Sequence, residues 1–424
     1  MPVFYKNFLR LLAAIMLLVL CIPSSAIDIK FLKKDRTVVD GIAYQVNVKK
    51  ETAVVVKNPD GYNGDIAIPE KVENDSLTFY VEGIAAGAFQ GCSGMTSLSI
   101  PRTVTSIGSG AFEGCASLTS IELPNAITEL PSNLFKDCTS LRTIEMSMSV
   151  KKMGSGVFKG CKSLDMLTLP TSLENLPTEA FAECSNLVYV GIPTGLKSIG
   201  HGAFEDCSSL EAIEIPIGVK SISSDAFKGC SSLRTFVFPA SIHVVSDGLF
   251  ENCSSLSSVT LSNSIKKIEH DAFHGCTSLE TIEIPNSVKD FGSSVFEGCS
   301  SLHTVRLSNS MKEVPSDMFK DCSSLESINL PSSIKTIGSS AFEGCTSLSA
   351  ITIPVGVKDI GGSAFAKCAN LFDVTSQGIT PPKISGSTFA KSTEKEGTLH
   401  VKSNAYNAYT SNKQWNKFLT IVKQ

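Results

Sequence analysis

Leu118-Thr119-Ser120-Ile121-Glu122-Leu123-Pro124-Asn125-Ala126-Ile127-Thr128-Glu129-Leu130-Pro131-Ser132-Asn133-Leu134-Phe135-Lys136-Asp137-Cys138 is the stretch whose reading decides the fold. Its first part alternates. Ile121 and Leu123 are apolar, and Ser120 and Glu122 between them are polar. Alternation over a few residues predicts a half-buried strand. Pro124 follows, and a proline there has no N–H to offer a neighbouring strand, so the ladder ends. Apolar residues return at Ile127 and Leu130, three apart. The last part, which reads Ala111-Phe112-Glu113-Gly114-Cys115 in the preceding copy, suggests one short helical turn. The expected unit is strand, bend, short helical turn, bend.

The same pattern recurs along most of the chain. Of fourteen cysteines, all but Cys21 stand 23 residues apart, from Cys92 to Cys368, with no insertion or deletion. A phenylalanine lies three residues before each, from Phe89 to Phe365. One unit cannot bury its own apolar residues and must stack on its neighbours, so the chain is read as a solenoid. Parallel strands stack about 4.8 Å apart, which gives a rod of about 60 Å for about 14 rungs.

Leu118-x-x-Ile121-x-Leu123 matches the leucine-rich repeat motif. With Pro after the strand and Ala-Phe-x-Gly-Cys at the end, the unit resembles the BspA-like class. That resemblance implies a leucine-rich repeat solenoid, an α/β repeat with a parallel β-sheet on its concave face. It also implies an exported bacterial protein that adheres to host matrix proteins, host cells or other bacteria. Where many leucine-rich repeats place an inward Asn or Cys after the strand, this chain has Thr103, Ala126, Ser149, Ser172, Gly195 and Gly218. The bend must be satisfied differently here.

The ends depart from the repeat. Lys6 and Arg10 precede an apolar run, Leu11 to Ile22, too short to span a bilayer comfortably, and Ser24-Ser25-Ala26 offers a cleavage site. Residues 1–26 are read as a signal peptide, and no later stretch reads as a transmembrane span. Leu18-Val19-Leu20-Cys21 is the rival lipoprotein reading, with Leu20 bulky where a small residue is wanted. Residues 27–65 form an N-terminal β cap, with a hairpin signal at Asp40-Gly41. Residues 66–376 are the repeats. The first is interrupted by nine extra residues that carry an added strand, Leu77 to Val81. Residues 377–424 are the C-terminal cap, in which Tyr406, Trp415 and Phe418 are expected to seal the last rung.

Chemistry is hard to find. Net charge is −4, which is read as no basic field for nucleic acid and no acidic tail. The repeat cysteines line up in one column with parallel Cβ vectors, so they are read as free and buried rather than disulfide-bonded. A column gives no convergent metal site. His270 and His274 share a unit with Glu269 and Asp271 but lack a metalloprotease context. No cofactor and no catalytic residue is expected, and the chain is read as not an enzyme.

Function in a solenoid sits on outward positions. Ser and Thr dominate the two outward rows of the strands. Met166, Val188, Tyr189 and Val237 break that rule within four rungs, rimmed by Asp165, Glu211, Glu214 and Arg234. An apolar centre with a charged rim is how an interface tends to look. The candidate binding residues are therefore Met166, Val188, Tyr189, Glu214, Arg234 and Val237, and the partner is a protein ligand. A carbohydrate-binding or envelope-scaffold role is the alternative. Outward aromatics are nearly absent, which favours protein over glycan.

Overall fold

The structure is a computed structural model that describes residues 36–74 and 77–424. The signal-peptide reading falls outside the described residues. The chain winds into a solenoid of about 15 turns. Most repeats lay down one strand of about three residues on this face, as at Ser120–Glu122, Thr143–Glu145 and Met166–Thr168. Ile121 and Leu167 point inward and are buried, while their neighbours are exposed. Strands 23 residues apart pair in parallel, with Ser120 opposite Thr143 and Met166 opposite Tyr189.

A second ladder runs beside the first, which the sequence pattern does not show. After the Pro124 bend, closed by Ile127 N–H donating to the Pro124 carbonyl at 3.0 Å, the chain forms a two-residue strand. These strands also pair in parallel, as Asn175–Leu176, Ser198–Ile199 and Ser221–Ile222 do. They form a second face. Serines at the bend supply the missing inward polar contact. Ser264 donates to the Ile242 carbonyl at 3.0 Å and Ser333 to that of Met311 at 2.6 Å, each one rung back.

The expected helical turn is corrected. Residues 108–115 form turns, with Ala111, Glu113 and Cys115 N–H groups donating three residues back. Between them, Gly110, Phe112 and Gly114 donate to the next rung, at Ser132, Leu134 and Lys136. Alternate N–H groups are thus spent between rungs and cannot close a helix. Two residues per turn also take left-handed backbone angles, such as Gly110 and Gly114, then Asn133 and Asp137. A right-handed helix does not accommodate them.

Two columns run the length of the core, beside the buried Leu, Ile and Val of the strands and bends. Phenylalanines from Phe89 to Phe389 lie next to one another with centroids 5.2–5.7 Å apart. That spacing exceeds the roughly 4.8 Å between paired strands, which makes the strand face the inner side of the curve. Beside them run the thirteen cysteines, all free and buried. Each thiol from Cys115 onward donates to the phenylalanine carbonyl one rung back, as Cys161 does to Phe135 at 3.1 Å. The thiols therefore hydrogen-bond as well as pack.

Both ends of the phenylalanine column are covered. At the start, Arg36–Val39 and Ile42–Asn47 form a hairpin across Asp40-Gly41. Thr52–Val55 and the inserted strand Leu77–Ile84 extend its sheet, and Lys71–Asn74 closes the edge. Tyr62 packs at a tilt against Phe89, with centroids 4.6 Å apart, and its hydroxyl donates to the Val56 carbonyl at 2.8 Å. At the other end, Asp373–Ser376, Thr398–Val401 and Thr420–Lys423 continue the strand ladder in parallel. Trp415 and Phe418 pack edge-on against Phe389. Tyr409 is fully buried with them, whereas Tyr406 is only half-buried.

Candidate binding face

The strand face carries the sequence-derived candidates, and the fold brings them together. Strand alternation turns Met166, Tyr189 and Val237 outward, at 63%, 53% and 65% exposure, and Val188 beside them is exposed too. Met166 and Tyr189 are direct partners across one parallel pair. Glu214 and Arg234 are exposed on the next two rungs. Strand pairing is interrupted at residues 211–216, so Ala212 and Glu214 lie on a rung outside the ladder.

Two further apolar residues join the patch. Met148 lies just after the strand Thr143–Glu145 and Ile217 at the equivalent loop position two residues after Ile215; Ile217 is the most exposed large apolar side chain among the described residues, at 87%. They fall outside the alternating strand positions, so strand alternation does not pick them out. Had the loop position after the proline been read as a row, Met148 and Ile217 would have stood out among Asn125, Thr171, Thr194 and Asn263. A shallow cleft of about 440 Å³ opens between the strands Thr143–Glu145 and Met166–Thr168, with Met146 and Met166 in its wall.

Charge distinguishes the patch from the rest of the face. Further along, Glu283 and Arg306 sit opposite each other and form an ion pair of 2.6 Å. Among the described residues, no ion pair engages Asp165, Glu211, Glu214 or Arg234. These rim charges are free to meet a partner.

Other candidates do not assemble into sites. The His270 Nδ1 accepts from the Ser293 N–H at 2.9 Å, while the His274 ring lies 3.6 Å from Asp271, so the two histidines serve different contacts. No group of three or more metal-ligating side chains converges among the described residues. Trp415 is fully buried, with its indole N–H donating to the Pro382 carbonyl at 2.8 Å, and offers no platform for a sugar. A polar cleft of about 850 Å³ at the first rungs is lined by serines, Glu70, Arg102 and Glu122, with no histidine or cysteine. The cysteines are chemically quiet: burial pushes the Cys368 thiol up to about 12 and raises Cys207 and Cys230 well above the ordinary thiol value. No described helix is long and apolar enough to cross a membrane.

Comparison with known proteins agrees with this geometry. The BspA type leucine rich repeat region matches residues 82–211, 174–303 and 266–396, and the chain belongs to that family. A leucine-rich repeat protein from Bacteroides ovatus shares 29% identity, with a TM-score of 0.79 over 91% of this chain and 100% of its own. A leucine rich cell surface protein from Faecalibacterium prausnitzii shares 27% identity, with a TM-score of 0.58 over 80% of this chain and 94% of its own. Comparison with curated proteins returns no significant match.

Proposed function

We propose that this chain is an exported or cell-surface adhesion module that binds a protein ligand on its strand face and has no enzymatic role. The observation that carries the reading is the cluster of exposed apolar side chains, Met148, Met166, Val188, Tyr189, Ile217 and Val237, within five consecutive rungs of a Ser/Thr-rich face. An aromatic anchor beside a flexible methionine buries apolar area against a partner, and the free rim charges orient it. Family membership and the cell-surface description of the Faecalibacterium relative support placement outside the cytoplasm. So does the signal-like sequence of residues 1–26, whose cleavage before Ile27 is checked by mass spectrometry of the exported chain. The ligand class is host matrix protein, host cell surface or another bacterium.

The test is a binding screen of the exported chain against immobilised matrix proteins, repeated with Tyr189→Ala. Loss of an anchor of this kind typically weakens binding about thirtyfold, on the order of 2 kcal/mol. Unchanged binding by Tyr189→Ala, together with loss in a turn-side variant such as Lys228→Glu, would place the ligand elsewhere and end the strand-face reading.

A further inference from the structure

The second face carries a feature that overall composition hides. Lys266, Lys289, Lys312, Lys335 and Lys358 occupy one position in five consecutive rungs, and on the next rung Lys383 stands one position over, opposite Asp359; all are exposed. Backbone hydrogen bonds hold the five in register. Lys289 N–H donates to the Lys266 carbonyl at 3.0 Å and Lys358 to that of Lys335 at 2.9 Å. The column continues towards the N-terminus through His243 to Lys220 and Lys197. Paired rungs lie about 4.8 Å apart, so a line of ammonium groups runs along the rod.

These lysines differ from others in the chain. On the turn side, Lys159, Lys228 and Lys320 each meet a carboxylate, Glu179 at 3.0 Å, Glu251 at 2.8 Å and Glu297 at 2.8 Å. None of the five column lysines has an ion pair among the described residues, and Lys383 beyond them makes only a loose one of 3.9 Å to Asp359. The neighbouring exposed position carries Asp290, Glu313 and Asp359, but also Lys267, so positive charge prevails along the column. Like charges one rung apart repel, by about 1 kcal/mol for a pair at 4 Å in water. A linear polyanion laid along the column would relieve that repulsion at every rung.

We propose that this face binds a linear acidic polysaccharide built of uronic acids. One lysine per rung matches one carboxylate per sugar, because a pyranose unit is about as long as a rung is high. The flanking positions are small and polar, with Asn263, Asn286, Asn309 and Ser310 able to hydrogen-bond sugar hydroxyls. Exposed aromatic rings, on which the bases of single-stranded nucleic acid stack, are absent from these positions. The site lies on a different face from the apolar patch and does not depend on it.

Polygalacturonate is the probe, with heparin and a thymidine oligonucleotide as comparators. The full exported chain is compared with a Lys289→Gln/Lys312→Gln/Lys335→Gln triple variant at matched thermal stability. Salt-sensitive binding of polygalacturonate is expected, weakened roughly tenfold or more in the triple variant at about 0.1 M salt. Lys228→Gln and Tyr189→Ala should bind like the unaltered chain. Failure to bind polygalacturonate at low salt, binding of heparin or the oligonucleotide without it, or an undiminished triple variant each overturns the assignment. A protein ligand lost only in Tyr189→Ala would leave the strand-face reading standing whichever way this result falls.

Discussion

At the scale of single residues, two left-handed positions per turn explain much of the repeat's composition. Glycine takes them without strain, and Asn or Asp tolerates them through local hydrogen bonds. Gly114, Gly160 and Gly229 hold the second position in their turns, and Asp137, Asp206 and Asn252 hold it in others. Glu183, with a φ of 63°, and Lys367, with a φ of 58°, depart from the glycine, Asn or Asp of the other turns. The ion pair of Glu183 to Lys159 is loose, at 3.7 Å, and Lys159 already meets Glu179. Glu183→Gly is therefore expected to raise stability by about 1 kcal/mol. An equilibrium urea titration measures it, and a lower midpoint would show that the ion pair outweighs the backbone. Gly338 illustrates a different need. A Cβ there would run into the backbone of Ser316 on the preceding rung, so close approach rather than φ selects glycine.

At the scale of the repeat element, inward and outward side chains of one rung have separable roles. Phe181 is fully buried in the column between Phe158 and Phe204, at 5.2 and 5.4 Å. Phe181→Ala removes a ring from a site whose neighbours are held by backbone bonds and cannot collapse. It should cost about 3–5 kcal/mol. Tyr189→Ala, on the outward side of the next strand, should change stability by about 0.5 kcal/mol or less. Thermal unfolding of the two variants checks both, and equal losses would contradict the assignment of faces. The C-terminal cap makes a related prediction. Trp415 closes the phenylalanine column, so Trp415→Ala should cost about 3–5 kcal/mol as well. Because a solenoid rung is stabilised by its neighbours, the loss should appear first as fraying from that end. Hydrogen exchange would show protection falling at Asp373–Ser376 before it falls at Ser258–Thr260. Uniform loss along the rod would mean that the cap acts on the whole fold.

At the scale of the whole molecule, the cysteine column links stability to pH. Burial raises the nine central thiols, Cys161 to Cys345, far above the ordinary value of 9.0. In the unfolded chain they ionise near that value, so above it the unfolded state holds fewer protons than the folded one. The sign follows: their contribution is intact below about pH 8.5 and falls as pH rises, by about 1.4 kcal/mol per thiol per pH unit. Nine thiols acting together should make alkaline unfolding steep. The urea midpoint is expected to drop sharply between pH 8 and pH 10, and Cys230→Ala should lessen the slope. A flat profile would mean that the thiols are not protonated and buried as described.

The periodic features were legible in the sequence because each rung must bury its own share against the next. The interval of 23 residues, the alternation around Ile121 and the run of free cysteines follow from that requirement. Met166, Tyr189 and Val237 were legible too, since alternation decides which side of a strand a residue faces. The second strand ladder was not, because two-residue strands such as Ser198–Ile199 are too short to show a period. Nor was the turn geometry at Ala111 to Cys115, where the choice between a helix and inter-rung bonds depends on what the next rung offers to Phe112 and Gly114. The position of every lysine is written in the chain, and composition alone reads as a mild net charge of −4. Only the tertiary structure decided that Lys228 and Lys320 meet carboxylates across rungs while Lys289, Lys312 and Lys335 stand in line without them. The physical reason is that ion pairing depends on distances between rungs, and sequence spacing along one rung does not contain them.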